Sequence, residues 1–484
     1  MSVGRALAAN TAFQVIGKIL STIIGVLVVA IITRQLGTDG FGAYSTANAF
    51  LQVFAIIIDM GLNVMVVQML GERAGDKGFE DRATSAVFSL RFWSGLFLLS
   101  IAPIIGLGTN YSHEIKIALF AIWGSFFFTT LNQIVIGIQQ RHLKTHVVAI
   151  SEVAGRIALF IGVIIAAKLN WGLIPIVLIV SFAGFINFII NFLVARTYAC
   201  FKIGFDWEFW KMTISRSWPI GVSILFSLIY FKSDTLILSW VRPLSDVGLY
   251  GAAYRVLEIL ATFPFMYCGV LLPIIANAWA KGNKDRFAYF IKKSFDAFSI
   301  ITFPMIAGTL LIADQAMVAI SGPEYLASGN ILRILILATG CIYIGTIFSH
   351  AIVALDLQRF MLRFYAIIAM VALGLYIWLI PIYGMWAAAW LTVASEAAIA
   401  LVTIILTLKK AKMKLDLATA GKALLGSIIM YFTALQFLHF SLLLTIAIAI
   451  ASYAIVIIVT DAVTKEMVME LLRARKGTGT ASDQ

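Results

Sequence analysis

The feature that most constrains this chain is a succession of fourteen apolar runs, each about 20 residues long or somewhat more, between Phe13 and Thr460. They lie near 13–33, 42–69, 84–106, 116–138, 146–167, 172–194, 217–240, 247–273, 294–313, 330–354, 361–380, 383–407, 420–438 and 441–460. A helix of about 20 residues crosses a hydrocarbon core of roughly 30 Å. Long uninterrupted runs predict helices and not barrel strands, because backbone groups in lipid must be satisfied internally. Composition agrees: 61% of residues are hydrophobic and 12% charged, and the mean hydropathy is +0.97, whereas soluble domains carry about 25% charge. The expected fold is an all-α polytopic membrane protein. Its first run is too long for a signal-peptide core and counts as the first span.

The net charge of +12 is explained by topology. With the N terminus cytoplasmic, the even-numbered connections collect the basic residues, among them Lys281, Lys284, Arg286, Lys292 and Lys293 in one and Lys409, Lys410, Lys412 and Lys414 in another. The odd-numbered connections hold only Arg34, Lys116, Lys168 and Arg242. One missed span would scramble this separation downstream, so the count and two cytoplasmic termini support each other. Cys200, Cys268 and Cys341 have neither disulfide-framework nor metal-ligand spacing.

A short segment recurs. Placing Gly42 on Gly248 aligns Phe41–Ala47 (FGAYSTA) with Val247–Ala253 (VGLYGAA), sharing Gly-x-Tyr and the final Ala. Each copy opens the second helix of a six-helix lobe. Six is an even number, so the two lobes run in the same direction and are expected to be related by a pseudo-twofold axis along the membrane normal. The expected division is residues 1–196 (spans 1–6), 197–408 (an interfacial segment and spans 7–12), 409–462 (spans 13–14) and a cytoplasmic tail, 463–484. In the interfacial segment Trp207, Trp210 and Ile214 recur at helical spacing beside Lys211, as in an amphipathic helix at the membrane surface.

Ionisable residues inside spans are costly and mark aqueous or bundle-interior faces. In the first span Gln14, Lys18 and Thr22 share one face, beside the small-residue stripe Gly17, Ser21 and Gly25. Asn48, Gln52, Asp59 and Asn63 form one polar seam along the second. The fifth carries Glu152 and Arg156 at a spacing that permits direct pairing. Lys232 and Asp234 lie on different faces of the seventh, and Tyr254, Arg255 and Glu258 sit near the start of the eighth. Arg91 and Glu396 are placed centrally in the third and twelfth, and Arg333, at the start of the tenth and close to the extracytoplasmic surface, is positioned to snorkel.

Lys18, Arg91, Arg156, Lys232 and Arg255 are therefore candidate cations for a cavity between the lobes, with Gln14, Asn48, Gln52, Asn63 and Tyr254 as polar lining. Asp59, Glu152, Asp234, Glu258 and Glu396 would compensate those charges or bind a coupling proton or sodium ion. Asp59 leads as the coupling site because its own helix offers no cation within a turn. Ion pairing within a helix competes with these roles at Glu152–Arg156 and Arg255–Glu258, and pairing between helices competes at Asp59.

Taken together, Arg34-Gln-Leu-Gly-Thr-Asp-Gly-Phe-Gly-Ala-Tyr44, then Asp234-Thr-Leu-Ile-Leu238 leading to Val247–Arg255, and finally Gly322-Pro-Glu-Tyr325 resemble the signature stretches of Wzx-type polysaccharide flippases. These belong to the multidrug/oligosaccharidyl-lipid/polysaccharide exporter superfamily. The resemblance spans essentially the whole chain, spans 13 and 14 included. It implies translocation of undecaprenyl-diphosphate-linked oligosaccharide across a bacterial inner membrane by alternating access, for O-antigen or exopolysaccharide assembly. It implies neither enzymatic activity nor a cofactor beyond a coupling ion, and its partners are lipid and polysaccharide assembly proteins. A cation-coupled multidrug antiporter on the same scaffold is the alternative, but it wants an anionic pocket. A membrane enzyme acting on lipid-linked sugars fits less well: the chain has no P-loop, metal motif or nucleophile–base constellation, and the connection 314–329 has no His, Lys or Arg.

Overall fold

The computed structural model describes residues 3–59, Leu62, Met69, 76–142 and 144–462. Asn63 and the 463–484 tail lie outside the described residues. Among the described residues every regular element is helical. The long stretch Val3–Asp59 is broken at Gly37, where φ is 66° and ψ −174°, into α1 (residues 3–36) and α2 (residues 38–59). There follow α3 (Lys77–Leu107), α4 (His113–Arg141), α5 (Thr145–Lys168), α6 (Leu173–Ala195), α7 (Trp207–Val241), α8 (Leu244–Ala280) and α9 (Lys284–Ser321). A 3-10 turn, Pro323–Tyr325, leads into α10 (Leu326–Ala354), then α11 (Gln358–Tyr383), α12 (Met385–Ala411), α13 (Ala418–Leu435) and α14 (Leu442–Val459).

Twelve of these stretches are long and apolar enough to cross a membrane. The first contains both α1 and α2, and α7 adds a helix of 35 residues, so the architecture of about fourteen membrane helices holds. The chain is a multi-pass membrane protein. Its helix ends follow local chemistry: Asp76, Ser112, Asp206 and Ser441 each cap a helix by accepting a hydrogen bond from the amide three residues on. Exposed Leu443, Ile458 and Val459 on α14 present the apolar surface that lipid solvates.

The chain divides into two compact units, one of residues 1–252, 320–325 and 371–388, the other of 253–319, 326–370 and 389–484. Aromatic packing fills the first, with Phe88, Phe127 and Phe188 buried and Phe92, Trp123 and Phe192 against them. Cys268, Phe287, Phe298 and Phe348 centre the second, where α14 is tied in by the Tyr453 hydroxyl donating to the Ile300 carbonyl at 2.7 Å.

Within the first unit the two copies of the sequence repeat touch each other. A Cβ at Gly42 would overlap the Leu244 carbonyl and stand 3.2 Å from the Gly248 nitrogen. Reciprocally, a Cβ at Gly248 would overlap the Thr38 carbonyl and stand 3.2 Å from the Gly42 nitrogen. Thr38 and Leu244 each lie four residues before the glycine of their copy, so the contact has local twofold character. Only glycine permits backbones this close.

The amphipathic segment is continuous with the seventh span: Trp207 begins α7. Ahead of it, residues 200–206 lie extended along α3. The Cys200 amide donates to Asp81 (2.9 Å), the Ser85 hydroxyl donates to the Cys200 carbonyl (2.8 Å), and the Ser89 hydroxyl donates to the Lys202 carbonyl (2.7 Å). Four helical residues rise about 6.0 Å and two extended residues about 6.6 Å. That match lets Asp81, Ser85 and Ser89 hold alternate residues of the strap. Arg82 closes it against Asp206 (2.8 Å) and holds that carboxyl below the usual carboxylate range. The buried Trp210 indole donates to the Ala86 carbonyl at 2.8 Å, while Trp207 is exposed.

Candidate functional site

Four helices of the first unit, α1, α4, α5 and α6, line an open polar cavity of about 390 Å³, within the range of roughly 300–1,000 Å³ typical of small-molecule sites. Its helices approach closely at small residues. Gly17 of α1 packs on Ala149 of α5, where a Cβ would meet Ala149 Cβ at 2.7 Å. Gly155 of α5 packs on α6, with the Ala183 carbonyl 3.0 Å from the position of a Cβ. These contacts set the register of the charged residues between them.

Lys18 of α1 donates to Glu152 of α5 at 3.0 Å. The spacing of Glu152 and Arg156 had predicted a pair within α5; the structure instead gives Glu152 to Lys18, because the Gly17–Ala149 contact brings α1 alongside. Among the described residues Arg156 has no ion-pair partner. It is exposed to the cavity, and its guanidinium is 3.9 Å from where a Cβ at Gly25 would stand. With Lys18 matched by Glu152, Arg156 is the uncompensated cation of this wall.

The opposite wall is neutral and rich in hydrogen-bonding groups. Ser125, Thr129, Asn132 and Gln133 line the cavity from α4 at spacings of four, three and one, which is one helix face. Asn187 joins them from α6. Buried Asn191 donates to the side-chain oxygens of Asn132 (3.0 Å) and Asn187 (3.1 Å), and Gln139 donates to the Asn191 carbonyl (2.9 Å). Such a carboxamide chain fixes the orientation of Asn132 and Asn187 in the cavity wall. Uncharged polar residues do not stand out among apolar runs as ionisable groups do, although their helical spacing is visible in the sequence.

The remaining candidates sit elsewhere. Arg91 is fully buried and pairs with Asp59 across α3 and α2, so the carboxylate that lacked a cation on its own helix finds one on the next. Asn48 and Gln52 of that seam are half-buried and Gln14 is exposed. Lys232 and Asp234 are buried in α7, and Asp234 accepts from the Tyr250 hydroxyl and the Thr235 amide. Arg255 pairs with Glu258 at 2.7 Å, one turn along α8, and Tyr254 is buried. Glu396 is buried in α12. Arg333 has a partner: its guanidinium makes a forked bond to Asp314, both distances 2.8 Å, because α9 ends beside the start of α10.

A family model described as polysaccharide biosynthesis protein matches residues 7–279. No curated protein matches the chain at a significant level. Among solved structures, the lipid II flippase MurJ in an inward closed conformation is similar over 92% of this chain and 97% of that one, at 17% identity and a TM-score of 0.75. An inward-facing multidrug resistance MATE family transporter of the MOP superfamily is similar over 83% of this chain and 98% of its own, at 14% identity and a TM-score of 0.64. A MOP superfamily transporter from Pyrococcus furiosus is similar over 84% and 96%, at 14% identity and a TM-score of 0.59. At these identities the likeness is one of fold, a two-lobed arrangement of membrane helices.

Proposed function

The chain belongs to the family of polysaccharide biosynthesis proteins, and from that premise we propose that it is a flippase moving undecaprenyl-diphosphate-linked oligosaccharide across a bacterial inner membrane. The observation that carries the reading is the polar cavity among α1, α4, α5 and α6. Carboxamides and hydroxyls suit the many donors and acceptors of a sugar, while Lys18 and Arg156 suit the anionic linkage. A diphosphate cannot cross hydrocarbon unaided at useful rates, since removing charge from water costs many kcal/mol. A polar path through the protein lowers that cost while the polyprenyl tail stays in lipid.

The mechanism we infer is alternating access, with both termini cytoplasmic and the headgroup admitted from that side. Coupling to a proton or sodium ion would fall to a buried carboxylate, Asp234 or Glu396. The product serves a surface polysaccharide, an O-antigen or exopolysaccharide.

Deleting the gene should leave oligosaccharide-bearing undecaprenyl diphosphate on the cytoplasmic leaflet and strip polysaccharide from the cell surface. Complementation with Lys18→Gln or Arg156→Gln should restore about a tenth of export or less, since a charge-assisted hydrogen bond contributes about 1.5–3 kcal/mol. If deletion spares surface polysaccharide and instead abolishes drug efflux driven by an ion gradient, the flippase reading fails.

A further inference from the structure

The repeat that brings Gly42 against Gly248 is accompanied by a second one. The turn between α3 and α4 reads Gly108-Thr-Asn-Tyr111, and the turn between α9 and α10 reads Gly322-Pro-Glu-Tyr325. These are equivalent corners of the two six-helix repeats, and each ends in a buried tyrosine. The Tyr325 hydroxyl donates to the Gly37 carbonyl at 2.8 Å and lies 3.4 Å from the Thr33 carbonyl, at the end of α1. The Tyr111 hydroxyl is 2.9 Å from the Ser239 hydroxyl of α7. Ser239 donates its own proton to the Leu236 carbonyl at 2.7 Å, so Tyr111 is the donor.

The offset that places Gly42 on Gly248 also places Thr33 on Ser239. Each tyrosine therefore reaches from a corner of its own repeat to the C-terminal end of the first helix of the other repeat, Tyr111 at Ser239 and Tyr325 at the Gly37 carbonyl just past Thr33. Both rings are also packed edge-on by α2 aromatics, Tyr111 by Phe50 and Tyr325 by Phe41, each pair of centroids 6.3 Å apart. All these residues belong to one compact unit, at the end of the molecule that carries the odd-numbered, basic-poor connections.

We propose that Tyr111 and Tyr325 are a matched pair of gate latches, whose two hydroxyl bonds hold the repeats together at the extracytoplasmic end and must break for the protein to open there. The assignment rests on the alternating-access reading above, from which it takes the sidedness and the need for opening. A twofold pair suits a gate: each bond is a modest neutral contact, so the closed state is held without being locked, and both bonds release in a single separation of the repeats.

The test uses the full chain in membranes, with Cys200, Cys268 and Cys341 replaced and Ala49→Cys as reporter. Ala49 is buried and continues the face of Thr38, Gly42 and Ser45 along α2. Its labelling by a membrane-impermeant thiol reagent added from outside reads opening. Tyr111→Phe and Tyr325→Phe should each speed labelling roughly fivefold, and the double variant roughly 25-fold, as expected for removing one or two ordinary hydrogen bonds. Tyr44→Phe, a buried neighbour with no hydroxyl bond among the described residues, should leave the rate unchanged. A second reporter, Ala166→Cys, is buried near the same end in α5 away from the latches and should stay slow.

Unchanged rates in both Phe variants would overturn the proposal, as would an equal rise at Ala166→Cys, which would mean general loosening. Because labelling needs no substrate, a faster Ala49→Cys alongside intact surface polysaccharide in a deletion strain would retain the latch and reject the flippase.

Discussion

Replacing Gly42 with alanine puts the contact between the repeats to a direct test. A Cβ there would stand 2.8 Å from the Leu244 carbonyl carbon, where carbon atoms settle at about 3.5–4.0 Å. The obstacle is backbone, which no rotamer change removes, so α2 and α8 must part by about 1 Å. Overpacking costs about 1–3 kcal/mol, and collision with a rigid carbonyl belongs near the upper end. Alanine returns about 1 kcal/mol through its higher helix propensity, leaving a net loss of about 2 kcal/mol. Gly248→Ala faces the mirror obstacle, the Thr38 carbonyl carbon at 2.9 Å, and should lose the same amount. Gly269 of α8 is the control: a Cβ there meets nothing within 4 Å, so Gly269→Ala should gain about 1 kcal/mol. Reversible SDS unfolding of the purified protein measures all three. If Gly42→Ala and Gly248→Ala unfold as late as Gly269→Ala, or if only one is destabilised, the reciprocal contact is refuted.

Two further outcomes follow from the charged residues. Asp59→Asn leaves the fully buried Arg91 without its counter-charge and should cost about 3 kcal/mol in the same assay, while Asp59→Asn combined with Arg91→Met should recover most of it; a single variant as stable as the parent would show that the pair contributes nothing. At the strap, Arg82 depresses the Asp206 carboxyl, so its contribution is present at neutral pH and lost only as pH falls through the lowered value, below about 3.9. Hydrogen exchange over residues 200–206, corrected for intrinsic rate, should show constant protection from pH 7 to 5 and loss below about 4; loss near pH 6 would point to a different titrating group.

The sequence alone determined the solvent of this protein and the number of its helices, because about twenty apolar residues and the sorting of Lys and Arg are properties of local segments in a bilayer. It also exposed Lys18, Glu152 and Arg156, since charge inside an apolar run stands out one residue at a time. Tertiary structure decided their partners. Glu152 has a cation one turn away at Arg156, yet pairs with Lys18, 134 residues distant in sequence, because Gly17 lets α1 lie against Ala149. Asp59 looked solitary until α3 brought Arg91 beside it. The neutral wall of Ser125, Thr129, Asn132 and Gln133 was written in helical spacing, but uncharged polar residues also serve ordinary helix packing, and only the cavity distinguishes the two uses. The two Gly-x-x-Tyr corners recur at a different offset from Gly42 and Gly248, so a single alignment register cannot reveal both. Their kinship became visible when folding placed each tyrosine against the other repeat, because hydrogen bonds are fixed by distance in space and not by distance along the chain.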